Sequence, residues 1–562
     1  MKLTYQYDHY YLYQEITDIL NGYAEKYPQY TKLNVIGKSG QGRDILLMEI
    51  TDTSTGDFAD KPAYYVEGNI HAGEVTGSMA VMYLMDCIMS NLEDPEIAKI
   101  LKRYTFYLLP RVSPDGTEHY LTTPESLRSV PRYYPYESDM PGLQTKDLDG
   151  DGSIRLMRVK TPYGAWKTSK LDPRLMTRRL PDDDEGEFYN VYPEGEIKDW
   201  DGLSIKEAPA KYQYDFNRAY PIGWEPEWMQ RGAGELPMAN PENQANAKFL
   251  IEHKNICSCV DMHTHGGMIL FTPGFKSAKK ADPADIALYR TLGEMAVEES
   301  GFPLLNVHDD FMPQSDPVTY GGFDDFCHFI VGIPAFTIEC WDLEKRSGAI
   351  PVYPPKENET EKEREADEYK ILQWMDANLT PEEGYKPWTA FQHPQLGEVE
   401  IGGVNSKFVE QNPPCKFLEE EISKHARFML REVKALPRVI FENVKGEKLA
   451  DGLYRVEAVV GNLGFMPTYI FRESLKNKQI KPLSIELKGF ETIVEGKAVQ
   501  EIGHLQGYSG IRTMDWGIPA RSMETEPYHK KVTWIIRAQA GTTLKLCCSS
   551  SKTGKIETEI TL

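Results

Sequence analysis

Tyr64-Tyr65-Val66-Glu67-Gly68-Asn69-Ile70-His71-Ala72-Gly73-Glu74 is the stretch on which the reading of this chain turns. Its apolar run reads as a buried strand ending at Gly68, and an imidazole and a carboxylate follow three residues apart, where a turn can aim both at one cation. Both are zinc-binding side chains, and a zinc ion with three protein ligands keeps a fourth position for water, which it acidifies while polarising a carbonyl. A lone His-x-x-Glu pair is common among ordinary surface residues, so the reading depends on a third ligand. Val260-Asp261-Met262-His263-Thr264-His265, directly after another strand-like run, offers two. His263 and His265 point to the same side of an extended strand, so spacing leaves both open.

The 562 residues suffice for one large domain and at least one small one, at roughly 100 to 200 residues each. Apolar residues at 41% and charged residues at 26% are ordinary globular values. No apolar run approaches the roughly 18 residues that span a bilayer, and the first residues carry no secretory signal pattern. The expectation is a soluble, cytoplasmic protein without a membrane partner. A net charge of −22 repels phosphate backbones, which argues against nucleic acid. The eight cysteines lack the spacing of a disulfide scaffold or zinc ribbon, and Cys257-x-Cys259 sits inside an apolar run as a core strand would. Oligomeric state is not legible.

Apolar spacing predicts a helix from about 12 to 27, a hairpin over 33–50 around Gly37 to Gly42, a helix through 79–89 and a strand over 104–109. Runs at 256–262, 268–272 and 334–340 read as buried strands, and 283–299 as a helix. Strand and helix alternate, so the fold class is α/β with a mixed sheet. Residues from about 134 to 212, rich in Asp, Glu, Gly and Pro, read as a long surface insertion in a domain over 1–385. A connecting segment over 386–437 includes a charged helix at 418–436 ended by Pro437. Residues 438–562 carry strand-like runs at 453–460, 468–471, 532–538 and 543–548, and read as a small β-sandwich.

Several further motifs fall in order: Ile36 to Ile45 around the glycines, Ser113-Pro114-Asp115-Gly116, Tyr214-Asp215-Phe216-Asn217-Arg218, Asp261-Met262-His263-Thr264 and Pro334-Ala335-Phe336-Thr337-Ile338-Glu339. Together with His71 to Glu74 they resemble the zinc metallocarboxypeptidases of the carboxypeptidase A type, over roughly residues 8–385. The resemblance implies an eight-stranded mixed sheet flanked by helices and one Zn2+ held by His71, Glu74 and His263, which favours His263 over His265. It implies Glu339 as the general base and Asn217 with Arg218 as the clamp on a peptide's free C-terminal carboxylate. An oxyanion-stabilising arginine belongs between the Pro-Asp-Gly turn and the Asn-Arg pair; Arg158 is the first choice and Arg155 the second. The tyrosine over the substrate carboxylate corresponds to Tyr320, close to its place but out of register. Asp324 corresponds to the pocket for the substrate's last side chain, where a carboxylate favours a terminal Lys or Arg.

The residue types make chemical sense without the family: a carboxylate beside a metal can take a proton from water and pass it to a leaving amine. A guanidinium stabilises an oxyanion with fixed geometry or grips a carboxylate with two hydrogen bonds. Asp147-Leu148-Asp149-Gly150-Asp151-Gly152 resembles the start of a calcium loop, with Asp147, Asp149 and Asp151 as ligands. Arg158, not a bidentate Glu, stands at its twelfth position, and a solvated acidic turn is the alternative. The expected function is hydrolysis of C-terminal peptide bonds. The alternatives are a zinc amidase acting on N-acyl amino acids or cell-wall peptides, and a non-catalytic binding protein on the same fold.

Overall fold

The run Ile256–Thr264 is buried at every position, as expected of a strand in the middle of a sheet covered on both faces. The computed structural model describes residues 1–311, 319–351, 353, 358–510 and 527–562. In it this strand is central in an eight-stranded sheet with the order Thr31–Lys38, Asp44–Ile50, Thr105–Leu109, Ala63–Gly68, Ile256–Thr264, Ala335–Cys340, Met268–Phe271 and Leu304–Asn306. The four strands from Thr105–Leu109 to Ala335–Cys340 run parallel. Antiparallel strands flank them on both sides.

One face of this sheet is covered by the helices Val75–Met89, Pro283–Ser300 and Cys415–Glu432. Val75–Met89 is buried along its whole length, as a helix with no polar face must be. Its first turn lies tight on the strands: a Cβ on Gly77 would stand 2.4 Å from the carbonyl oxygen of Met262. That close approach brings the residues just before the helix against the ends of the central strands. On the other face pack Phe249 and Leu250 of the helix Pro241–Glu252, with Tyr65 and Cys259 pointing to them. Each fully buried apolar side chain contributes about 1.5–3 kcal/mol, so the two-faced core outweighs any local propensity.

The insertion carries more order than its composition announces. Leu156–Lys160, Trp166–Thr168, Met176–Arg178 and Tyr189–Pro193 join Tyr385–His393 and Gly397–Val404 in a six-stranded sheet, and Gly142–Thr145 pairs with Gly195–Lys198 in a ribbon. The segment expected to be a connection after residue 385 therefore begins as a hairpin that completes a sheet started some 230 residues earlier. Short strands with exposed outer faces leave weak periodicity, and a partner so distant leaves none.

Residues 439–561 form two four-stranded antiparallel sheets that share one apolar core, including Val456, Trp534, Ile485 and Leu546. The run 468–471 is a turn and not a strand; its Ile470 and Phe471 join the core of the large sheet's helical face. All eight cysteines are free thiols. Among the described residues no helix is long and apolar enough to cross a membrane.

Candidate metal and substrate site

Where the parallel strands end, three buried side chains converge. His71 Nδ1 lies 2.9 Å from Glu74 Oε1, His263 Nδ1 lies 2.8 Å from Glu74 Oε2, and the two Nδ1 atoms are 3.1 Å apart. The outer nitrogen of each ring faces a carboxylate: His71 Nε2 is 3.0 Å from Asp215 Oδ1, and His263 Nε2 is 2.7 Å from Asp261 Oδ2. Those carboxylates fix the outer nitrogens as N–H donors, which turns the Nδ1 lone pairs inward. Two inward lone pairs and a carboxylate form a donor set suited to zinc, and they repel one another unless a cation lies among them. Burial pushes the Glu74 carboxyl up, but the two imidazoles outweigh it and hold it well below the usual carboxylate range. His265 is exposed beyond the strand's end.

The chain fixes this cluster from several directions. Glu74 caps the buried helix Val75–Met89, and Asn412, itself fully buried, braces both sides of it. Asn412 Oδ1 accepts the N–H and hydroxyl of Thr76, and its Nδ2 donates to the Gly73 carbonyl at 2.7 Å. Asp115 of the Ser-Pro-Asp-Gly turn accepts from Ser39, from the Gln41 N–H and from Arg43, tying the opening hairpin to the same end of the sheet. Sequence reading had no route to Asn412, whose partners Gly73 and Thr76 lie more than 330 residues away.

Glu339 is paired with His263 across the parallel strands, and its Oε2 is buried with no hydrogen-bond partner. Burial pushes its carboxyl up to about 8. The arginine that the fold brings to the cluster is Arg128, whose Nη1 donates to Glu74 Oε1 at 3.1 Å and whose Nε donates to Asp215 Oδ2 at 2.9 Å. Arg158 is not there. It pairs with Glu400 and stacks between Tyr189 and Trp388 in the inserted sheet, while Arg155 is spent on the carbonyls of Gly403 and Glu382 and on Asp151. Arg128 also lies between the Pro-Asp-Gly turn and the Asn-Arg pair, just before the insertion, and that order was the available signal.

Asn217 and Arg218 sit on a short turn opened by Asp215, which accepts the Asn217 N–H at 2.9 Å. Asn217 Oδ1 accepts the Phe323 N–H, and Gly321, at φ +68°, passes so close that a Cβ would meet the Arg218 carbonyl at 2.3 Å. This contact brings Asp324 to the site. Burial pushes its carboxyl above the usual range, with Arg218 and His263 opposing. Neighbouring Asp325 is consumed structurally by the N–H groups of Gly274 and Phe275. Tyr320 donates its backbone N–H to Gln230, on the wall of the adjoining cleft.

The calcium expectation finds no support, although Asp147 and Asp149 lie with Glu194 in a group whose spacing could hold a cation. Lys386 Nζ bridges Asp149 Oδ2 and Asp151 Oδ2 at 2.6 and 2.7 Å, and Asp147 accepts the N–H groups of Gly150 and Gly152. An internal ammonium and the loop's own backbone already satisfy those oxygens.

A cleft of about 410 Å³ opens beside Arg128, Asp215 and Arg218. Through Glu125, Ser126, Thr145, Ala210, Lys211 and Arg231 it shares walls with a cavity of about 1390 Å³ against the insertion.

Curated relatives match only in part. Carboxypeptidase D of Mus musculus is 30% identical over 111 residues, 20% of this chain and 8% of that one. Carboxypeptidase B of Astacus astacus is 31% identical over 113 residues, 20% of this chain and 35% of that one. Among solved structures, carboxypeptidase A from Helicoverpa armigera is 16% identical with a TM-score of 0.39, covering 66% of this chain and 73% of that one. Residues 438–561 match a domain of unknown function. The family model of zinc carboxypeptidases matches residues 16–368, more than half of the chain, and the protein belongs to that family.

Proposed function

We propose that the protein is a zinc-dependent metallocarboxypeptidase that releases the C-terminal residue of peptides. The observation that carries this reading is the convergence of His71, Glu74 and His263, each histidine backed by a carboxylate, with Glu339 on the neighbouring strand. His71, Glu74 and His263 would hold the zinc ion, which when bound would supply a water of near-neutral pKa and polarise the scissile carbonyl.

The remaining chemistry belongs to the chain. Glu339 takes the water's proton on Oε2, which has no competing donor, and returns it to the leaving amine. A cation held by His71, Glu74 and His263 would favour the carboxylate form of Glu339 that a base requires. Arg128 is fixed by Asp215 and Glu74 with its guanidinium beside the cluster, poised to stabilise the developing oxyanion. Arg218 grips the terminal carboxylate, Asn217 supports that clamp, and Asp324 receives a cationic last side chain. Tyr320 closes over the carboxylate end of the substrate.

A mixture of peptides differing in their last residue tests the reading. Zinc-loaded protein should release free C-terminal amino acids, and a chelator should stop the release. Cleavage of N-acyl amino acids with no release from any peptide would overturn it in favour of an amidase.

A further inference from the structure

Six side chains of the acidic and basic types line the cleft beside the metal cluster: Glu125, Arg128, Lys211, Asp215, Arg218 and Arg231. Both acids are already neutralised, Glu125 by Lys211 at 2.6 Å and Asp215 by Arg128 at 2.9 Å. Arg218 and Arg231 have no carboxylate partner among the described residues, although the chain as a whole carries a net charge of −22. Two guanidiniums without a direct ion pair in one cleft of an acidic protein suit a ligand with two anionic groups.

Arg231 is held in place for that task. The carbonyl of Gly232 accepts the Asp215 N–H at 2.9 Å, and Gln230 Oε1 accepts the Tyr320 N–H at 3.2 Å. The segment bearing Arg231 is therefore pinned between the residue that orients His71 and the loop that carries Tyr320. Its Nε donates to Gln213 Oε1 at 2.7 Å, a neutral partner that orients the guanidinium without cancelling its charge. Arg231 lines the cleft, and the fork of a guanidinium matches a carboxylate.

We propose that Arg231 recognises a second carboxylate on the substrate, an acidic side chain upstream of the last residue, while Arg218 takes the terminal carboxylate. This rests on the carboxypeptidase reading and adds a substrate class to it. The acidic residue is not the last one, because the carboxypeptidase reading gives that place to a cationic side chain facing buried Asp324. The substrates are peptide tails with Glu or Asp near, but not at, their C-terminus.

The test uses the zinc-loaded full chain and a peptide series with one last residue, carrying Glu or Gln at the second, third or fourth position from the end. At one of these positions Glu should exceed Gln in kcat/KM by about fivefold or more, and the ratio should shrink as salt rises. In R231M the ratio should fall to within about twofold, and in R231E Lys should replace Glu as the preferred residue. Equilibrium binding of the same peptides to E339Q, with and without R231M, reads the preference without turnover. Release from no peptide would overturn the carboxypeptidase reading, and the binding measurement would still decide the role of Arg231. Equal treatment of Glu and Gln at all three positions, or a Glu preference that persists in R231M, overturns the proposal.

Discussion

Nε of Arg128 donates to Oδ2 of Asp215 at 2.9 Å, so the guanidinium beside the metal cluster and the acid behind it are locked in one geometry. The other oxygen of Asp215 faces His71 Nε2, and the same acid opens the turn that carries Asn217 and Arg218. One carboxylate thus orients His71, Arg128 and the turn that bears Asn217 and Arg218.

Asp215→Asn should weaken zinc binding by about 10- to 100-fold, because the amide cannot fix the His71 tautomer as a carboxylate does. Competition against a chelator of known affinity measures this. Unchanged affinity would show that Asp215 serves only the substrate side.

Removing the guanidinium in R128A should cost about 10²- to 10³-fold in kcat with a much smaller change in KM, since the contact forms in the transition state. Metal content is assayed in parallel because Arg128 also touches Glu74. A loss confined to KM would assign Arg128 to ground-state binding.

E339Q should retain its zinc and lose about 10²- to 10⁴-fold in activity, the range expected for removing a general base. Activity within a few-fold of the parent would refute the assignment.

If Asp324 lines the pocket for the last side chain, kcat/KM for Arg-terminated peptides should exceed that for Phe-terminated ones. Asp324→Asn should reduce this preference by more than about tenfold, because a buried cation would lose its partner. Near-equal turnover of the two by the parent protein would sink the idea.

Glu432 supplies a pH test of stability away from the site. It is fully buried, accepts hydrogen bonds of 2.6 Å from Tyr64 and Ser258, and burial pushes its carboxyl up to about 7 from 4.5. Between those values the folded state holds a proton that the unfolded state has released. The contribution of this group to stability therefore falls as pH rises from 4.5 to 7 and is flat beyond. E432Q should lose less stability than the parent between pH 5 and pH 8, read as urea midpoints. Parallel profiles would contradict the assignment.

Much of the large domain was legible because its elements are continuous and strongly patterned. The strand ending at Gly68 and the strand through His263 are short, mostly apolar and buried at every position, as strands covered on both faces are. The inserted sheet was not legible, since Met157 pairs with Ile401 and neither segment records the other. The run 468–471 failed for a related reason: its apolar side chains serve the core of a different domain and not a strand of their own.

The sequence by itself determined which residue types were present and in what order: two histidines and a glutamate for a metal, a glutamate at a strand end, and an Asn-Arg pair. Order along the chain carries that information because each motif is local. Only the tertiary structure brought Arg128 to the cluster, left Arg158 to Glu400 and gave Lys386 to the acidic loop, and it sets His263, which the resemblance already favoured, beside His71 and Glu74. Those choices depend on distances of a few ångströms between segments tens to hundreds of residues apart. Coulomb energy and hydrogen bonding act over such distances in space and take no account of separation along the chain.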